Sequence, residues 1–127
     1  MKNGVIVDEE QRDRGAVLVE FALIVPLLLI LLVGIIEFGR AYNTQIALQG
    51  AAREGARALA LGDSATAAVE ASRGGVAMTV SSTSGCPSGD SDAFATVTTT
   101  TSFSFGIPFV TLSTTSLNAT ASMRCGL

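Results

Sequence analysis

The chain has 127 residues, of which 48% are hydrophobic and 15% are charged, and its formal net charge is −3. This length leaves room for one small domain, and the mild negative charge offers no basic surface of the kind that nucleic acids require. The sequence has two cysteines and no histidine, which excludes an ordinary structural zinc site and a serine or threonine nucleophile with a histidine base. We therefore expect no enzymatic activity, no metal, no cofactor and no small-molecule substrate. The carboxylates of the C-terminal half are interpreted as solvated surface charges: Asp63, Glu70, Asp90 and Asp92.

The N-terminal third contains an uninterrupted apolar segment. Residues 1–15 are polar and predict a short flexible leader, and residues 16–36 then carry a single charge, Glu20. A helix over 16–36 spans about 31 Å, which matches the roughly 30 Å hydrocarbon core of a bilayer. The alternative is a secretory signal, but its apolar region is shorter and is followed by a small-residue cleavage site. The sequence favours a retained transmembrane helix, with the lipid bilayer as its partner.

The helical period does not stop at the end of the apolar segment. It continues through residues 37–61, so we predict one helix from Ala16 to Leu61 whose second half projects from the membrane. Gly62 marks its end, and the capping side chain of Asp63 is expected to start the helix that follows. One stripe of the projecting half is apolar: Leu48, Ala52, Gly55 and Leu59.

Small side chains on the projecting half permit another element to approach closely. They are Ala51, Ala52, Gly55, Ala56 and Ala60. Two partners remain open from the sequence: the C-terminal domain of the same chain, and neighbouring subunits.

The composition changes in residues 62–127, which we expect to form a small α+β domain. Residues 64–73 predict a short helix. Serine and threonine then alternate with apolar residues in three segments, which indicates half-buried strands. The aligned apolar sets are Val76, Met78 and Val80; Ala95, Val97, Phe103 and Phe105; and Leu117, Ala119, Ala121, Met123 and Cys125. Turns are expected at residues 85–92 and 106–108. The predicted fold class is α+β, a long N-terminal helix packed on a small antiparallel sheet.

Cys86 and Cys125 are the two cysteines of the chain. In a small outward-facing domain such a pair favours a disulfide, and the alternative is two unpaired thiols.

The junction before the apolar segment carries a recognisable order of residues. Gly15 is followed by Ala16, three further residues, Glu20 and Phe21. This pattern resembles the processing site of type IV pilins, and more closely that of the tight-adherence (Tad) group. The continuation is similar to the TadE family in the segments 19–23, 26–29, 34–40, 51–57 and 117–124.

The resemblance implies a function and a set of partners. It implies a pilin-like fold and cleavage between Gly15 and Ala16 by a prepilin peptidase on the cytoplasmic face. Glu20 and Phe21 would then serve assembly with other pilins, pseudopilins and Tad-type assembly proteins. From the residues alone, Glu20 either pairs with a free amine at Ala16 or lies near enough to the interface to reach water.

The orientation in the membrane does not follow from charge. Lys2, Arg12 and Arg14 on one side balance Arg40, Arg53 and Arg57 on the other. A cytoplasmic N-terminus and an extracytoplasmic C-terminal domain in a bacterial membrane rest on the peptidase-site resemblance and the cysteine pair. The sequence hypothesis is a minor pseudopilin, and its rival is an uncleaved anchored envelope protein whose outer domain binds another partner.

Overall fold

The computed structural model describes residues 9–88, 90–107 and 110–126. They divide into two compact units, one ending at Ile36 and the other beginning at Glu37.

The helix α1 spans Glu9–Ala60 and passes through both Gly15 and Pro26. It therefore begins seven residues earlier than predicted, and the expected flexible leader is helical from Glu9 onward; the rest of that leader lies outside the described residues. A lone glycine explains the difference, because it costs a helix only about 1 kcal/mol and does not end it. Gly15 is therefore too weak a helix breaker to serve as the boundary that was predicted there.

The N-terminal unit consists of the apolar part of α1. Its large aliphatic side chains are exposed, for example Leu23 at 73% and Ile30 at 72%. Its most apolar 18-residue window has a mean hydropathy of 3.0 with none of it buried, and α1 is the only helix among the described residues long and apolar enough to cross a membrane. An unburied apolar surface of this kind requires a non-aqueous surrounding, so the helix indicates membrane anchoring.

In the second unit, α1 ends in a Schellman motif. Gly62 has a positive φ of 86°, its N–H donates to the carbonyl of Leu59 (3.2 Å), and Asp63 N–H donates to the carbonyl of Ala58 (2.8 Å). These two bonds satisfy carbonyls that the helix end leaves open. The predicted stop at Gly62 is confirmed.

A second helix, α2, spans Ala65–Ser72. Its N-cap is Ser64, whose hydroxyl accepts a hydrogen bond from Ala67 N–H at 3.4 Å. The prediction that Asp63 caps this helix is therefore wrong by one residue, because the Schellman motif already uses the backbone of Asp63 to close α1.

Three strands complete the second unit: β1 (Thr79–Ser84), β2 (Phe94–Ile107) and β3 (Val110–Arg124). They form one antiparallel sheet in the order β1-β2-β3. The first strand begins later than its alternation predicted, because pairing starts with Thr79 opposite Thr100; Val76 and Met78 precede it. The predicted turn at 85–92 joins β1 to β2. Gly106, expected in the second turn, belongs to β2 at a register shift, and Pro108 lies outside the described residues.

The core of the second unit lies between the projecting part of α1, α2 and one face of the sheet. Its members include Leu48, Ala51, Ala56, Val69 and Val97. The helix contributes mainly small side chains to this core, and the other elements contribute larger ones. This difference lets α1 lie close to the sheet. Of the two partners open for the small-residue stripe, the structure shows the chain's own domain, since Ala51, Ala52 and Ala56 are buried within it.

The opposite face of the sheet is a surface of paired hydroxyls. Thr96 bonds Ser122 (3.0 Å) and Thr98 bonds Thr120 (2.9 Å) across β2 and β3. Branched threonines suit strands, and such cross-strand pairs stabilise a sheet without apolar burial. The α+β fold class, a long helix on a small antiparallel sheet in a pilin-like arrangement, is confirmed.

Candidate functional site

The residues predicted for processing and assembly lie on consecutive turns of α1. Gly15, Ala16, Glu20 and Phe21 are all exposed, and a Cβ at Gly15 would meet nothing within 4 Å. Glu20 follows Ala16 by four positions, so the two share a helix face about 6 Å apart along the axis. A new amine at Ala16 would therefore start one turn below the Glu20 carboxylate.

The backbone at Gly15 is helical, and this affects how a peptidase could reach the predicted cleavage site. The bond between Gly15 and Ala16 lies inside α1, where amide groups are held in the helical hydrogen-bond ladder. A peptidase would have to open this turn locally, which a glycine makes easier because it favours the helix least among residues other than proline. The glycine thus weakens the helix at the predicted site without ending it.

A second polar group lies where the apolar segment ends. Glu37 accepts from Arg40 Nη1 through Oε1 (2.6 Å) and from the N–H of Gly106 through Oε2 (3.4 Å). Its side chain is only 15% exposed. The Arg40 guanidinium also lies over the ring of Phe103, 5.4 Å from the centroid, a distance at which a cation–π attraction operates. We name these four residues the exit cluster.

The exit cluster attaches the start of the projecting helix to the end of the β2–β3 hairpin where the two strands are connected. Phe103 is buried and contacts Phe105 edge to face, with centroids 4.8 Å apart. Glu37 and Arg40 both lie in the segment 34–40 that resembles the TadE family, and no contact was predicted for either. The available signal was an acid and a base three positions apart directly after the apolar segment, which predicts a helix ion pair but not its contact with Gly106.

Further along, hydrogen bonds tie the helix to the sheet. Thr99 is fully buried and its hydroxyl donates to the carbonyl of Leu48 at 3.0 Å. Gln45 Nε2 donates to the carbonyl of Asn118 at 2.8 Å. The sequence presented the middle of β2 as polar on both sides, and this bond is why a threonine can be buried there.

Comparison with protein-family models matches residues 15–57 to the TadE-like protein model. Residues 15–57 are a TadE-like family domain. Neither the curated proteins nor the solved structures provide a match to the chain.

The TadE-like domain coincides with a single structural element. It begins at Gly15, includes Glu20 and the Glu37–Arg40 pair, and ends at Arg57 within α1. The sheet lies outside it. The part of the TadE-like domain from Glu37 on supplies the helix face on which the sheet packs.

The remaining predicted site residues lie at the opposite end of β2 from the exit cluster. Cys86 and Cys125 form a disulfide, with Cα atoms 5.8 Å apart. Beside it, Arg124 pairs with Asp92 at 2.5 Å. Both partners of that pair are exposed, so it adds little stability. Asp63, Glu70 and Asp90 are exposed as well, consistent with solvated charges.

Proposed function

We propose that the chain is a minor pseudopilin-like, single-pass membrane component of a Tad/Flp-type pilus assembly or secretion system, processed after Gly15. The observation that carries the proposal is the extent of the TadE-like match, which starts at Gly15 and continues along the apolar helix to Arg57. A prepilin peptidase, other pilins or pseudopilins and Tad-type assembly proteins are the partners. The outer domain contributes to pilus biogenesis or adhesion.

Glu20 gives this proposal its mechanism. A carboxylate about one helical turn inside an apolar segment is unfavourable unless it meets a counter-charge. Cleavage after Gly15 would create that charge, the α-amine of Ala16. In a medium of effective dielectric about 20, opposite charges 4 Å apart attract by about 4 kcal/mol. Pairing with a neighbour's amine would fix the axial register of adjacent helices, because a slip leaves a buried charge unpaired.

The mature N-terminus tests processing. Mass spectrometry of protein from the native membrane should find Ala16 as the first residue. Gly15→Val should leave a full-length chain in the presence of the cognate peptidase. Gly34→Val is the matched control, since Gly34 is also a helical glycine with open space around it, and it should be cut normally. Equal processing of both variants would place the cut elsewhere, and a native chain that keeps residue 1 would favour the uncleaved envelope protein.

The role of Glu20 is tested after cleavage has been verified. Glu20→Gln should insert and be processed normally, yet fail to co-purify with pilus components or to restore piliation in a deletion strain. Glu54→Gln, an exposed glutamate farther along α1, is the control and should restore it. Full piliation with the Glu20 variant would reduce Glu20 to an interfacial residue.

The proposed location is the bacterial cell membrane, with the N-terminus cytoplasmic and the outer domain extracytoplasmic. The Cys86–Cys125 disulfide supports this orientation, because disulfides persist in oxidising compartments. Alkylation of native protein before and after reduction provides the test. Two thiols blocked without reductant would contradict the orientation.

A further inference from the structure

The connecting end of the β2–β3 hairpin exposes large apolar side chains. Ile107 is 45% exposed, Val110 51% and Leu112 68%. We call these three residues the hairpin end. Ile107 and Val110 are directly opposite each other across the strands, so they are neighbours at this tip of the described strands. Neighbouring exposed apolar side chains of this kind are a candidate contact surface.

Charge is distributed unequally along the same hairpin. From Ala93 to Met123 the sequence has no Asp, Glu, Lys or Arg. The charged pair Asp92–Arg124 lies at the other end of the strands, about 40 Å from the tip at the usual rise per strand residue. The hairpin end can therefore leave water without removing any charge of the hairpin from it. The nearest charged side chains given by the described contacts, Glu37 and Arg40, are already paired with each other.

The exit cluster fixes where the hairpin end lies along the helix. The N–H of Gly106, next to Ile107, donates to Glu37, and Phe103 lies under Arg40. Glu37 directly follows the apolar segment 16–36. In a chain anchored by that segment, residue 37 is at the boundary between hydrocarbon and headgroups. The hairpin end is therefore attached beside the residue at which an anchored chain leaves the hydrocarbon.

We propose that the hairpin end docks into the interfacial layer of the same bilayer, so that the outer domain contacts lipid through Ile107, Val110 and Leu112. This inference rests on the membrane anchoring in the proposed function. Apolar groups at such a boundary bury about 5–10 Å deep, to the level of the upper acyl chains. The polar threonine face and the Asp92–Arg124 end remain in water.

Tryptophan fluorescence tests the contact, because the chain has no tryptophan. Leu112→Trp is made in the full chain and reconstituted in phosphatidylcholine vesicles with or without acyl chains brominated near the headgroup. Phe94→Trp is the matched control, an apolar residue 57% exposed at the other end of β2. Leu28→Trp, near the middle of the apolar segment, is reconstituted instead with acyl chains brominated near their ends, and it reports whether the helix is in the bilayer. An intact disulfide, judged by resistance to alkylation, verifies that each variant is folded.

The expected result is a blue-shifted emission of the Leu112 variant that loses most of its intensity in brominated lipid, with water-like, unquenched emission of the Phe94 variant. Quenching of the Leu28 variant without quenching of the Leu112 variant overturns the inference and leaves the proposed function standing. No quenching of the Leu28 variant overturns both. Equal quenching at positions 112 and 94 overturns the inference, since the whole domain would then adsorb. A blue-shifted emission of the Leu112 variant could instead depend on the protein-to-lipid ratio and not on brominated lipid. That result assigns the hairpin end to contact with a second copy, and it also overturns the inference.

Discussion

Among the glycines of the projecting helix, Gly55 lies against the rest of its domain, whereas Gly39 and Gly50 have open space around them. A Cβ built there would lie 2.8 Å from Val69 Cγ2 and 3.2 Å from Val97 Cγ1. Carbon atoms in favourable contact are about 3.5–4.0 Å apart, so Val69 would have to move by about 0.7 Å. A valine in a helix has one strongly preferred rotamer, and the carbonyl of Ala65 lies 3.5 Å from the same point. Relief therefore requires a shift of α2 itself.

Two opposing terms set the effect of Gly55→Ala on the free energy of unfolding. Replacing a helical glycine by alanine gains about 1 kcal/mol, whereas overpacking a tight core costs about 1–3 kcal/mol. Gly50→Ala isolates the first term, because nothing lies within 4 Å of a Cβ at Gly50. We expect the Gly50 variant to be more stable than the native chain, and the Gly55 variant to be less stable than the Gly50 variant by about 1–3 kcal/mol.

Thermal unfolding of the full chain in detergent micelles, with the disulfide intact and followed by circular dichroism, measures the difference. In a domain of 60–100 residues about 1 kcal/mol shifts Tm by about 4–8 °C, so the two variants should melt at least about 4 °C apart. Adding Val69→Ala to Gly55→Ala should cost less than the sum of the two single changes, because the smaller side chain vacates the contested space. A Gly55 variant that melts with or above the Gly50 variant would refute the tight contact.

Three further outcomes follow from single contacts. Thr99→Val should lower the free energy of unfolding by about 1 kcal/mol, because it removes the buried hydrogen bond to Leu48 while keeping the volume; an unchanged denaturant midpoint would contradict this. Replacing Cys86 and Cys125 together by serine opens a loop with a sequence separation of 39 and should cost about 4 kcal/mol by the chain-entropy model, with a cost near zero counting against it. Gly62→Ala should destabilise by about 1–2 kcal/mol, opposite in sign to Gly50→Ala, because Gly62 has a φ of 86°; a stabilised variant would exclude strain there.

Signals carried by neighbouring residues predicted much of the fold. The helix period identified the long helix and the face that Leu48 and Ala52 bury. Strict alternation identified the central and last strands, as with Val97 and Ala119. These signals are local because a helix or a strand buries one face, and the spacing of its own apolar residues shows which face that is.

What the sequence did not predict depends on partners far along the chain. Val76 and Met78 alternate like strand residues, but β2 decides where β1 begins, and its pairing reaches only Thr79. Thr99 reads as polar, and only the carbonyl of Leu48 in another element makes its burial favourable. For the candidate site, the sequence identified the two cysteines that form the disulfide, and the role of Gly15–Phe21 stays a prediction. The Glu37–Gly106 contact joins residues 69 apart and leaves no pattern in either segment.

The position of the disulfide has a consequence for how the sheet opens. Cys86 follows β1 and Cys125 follows β3, and these are the two edge strands on either side of β2. The disulfide thus joins the two edge strands beside the start of β2. At that end, neither edge strand can separate from β2 without the other. Opening must begin at the other end of the hairpin. Amide hydrogens of β2 should therefore exchange with solvent in a gradient, slowest near Ala95 and faster toward Phe105, and reduction should flatten that gradient from the slow end.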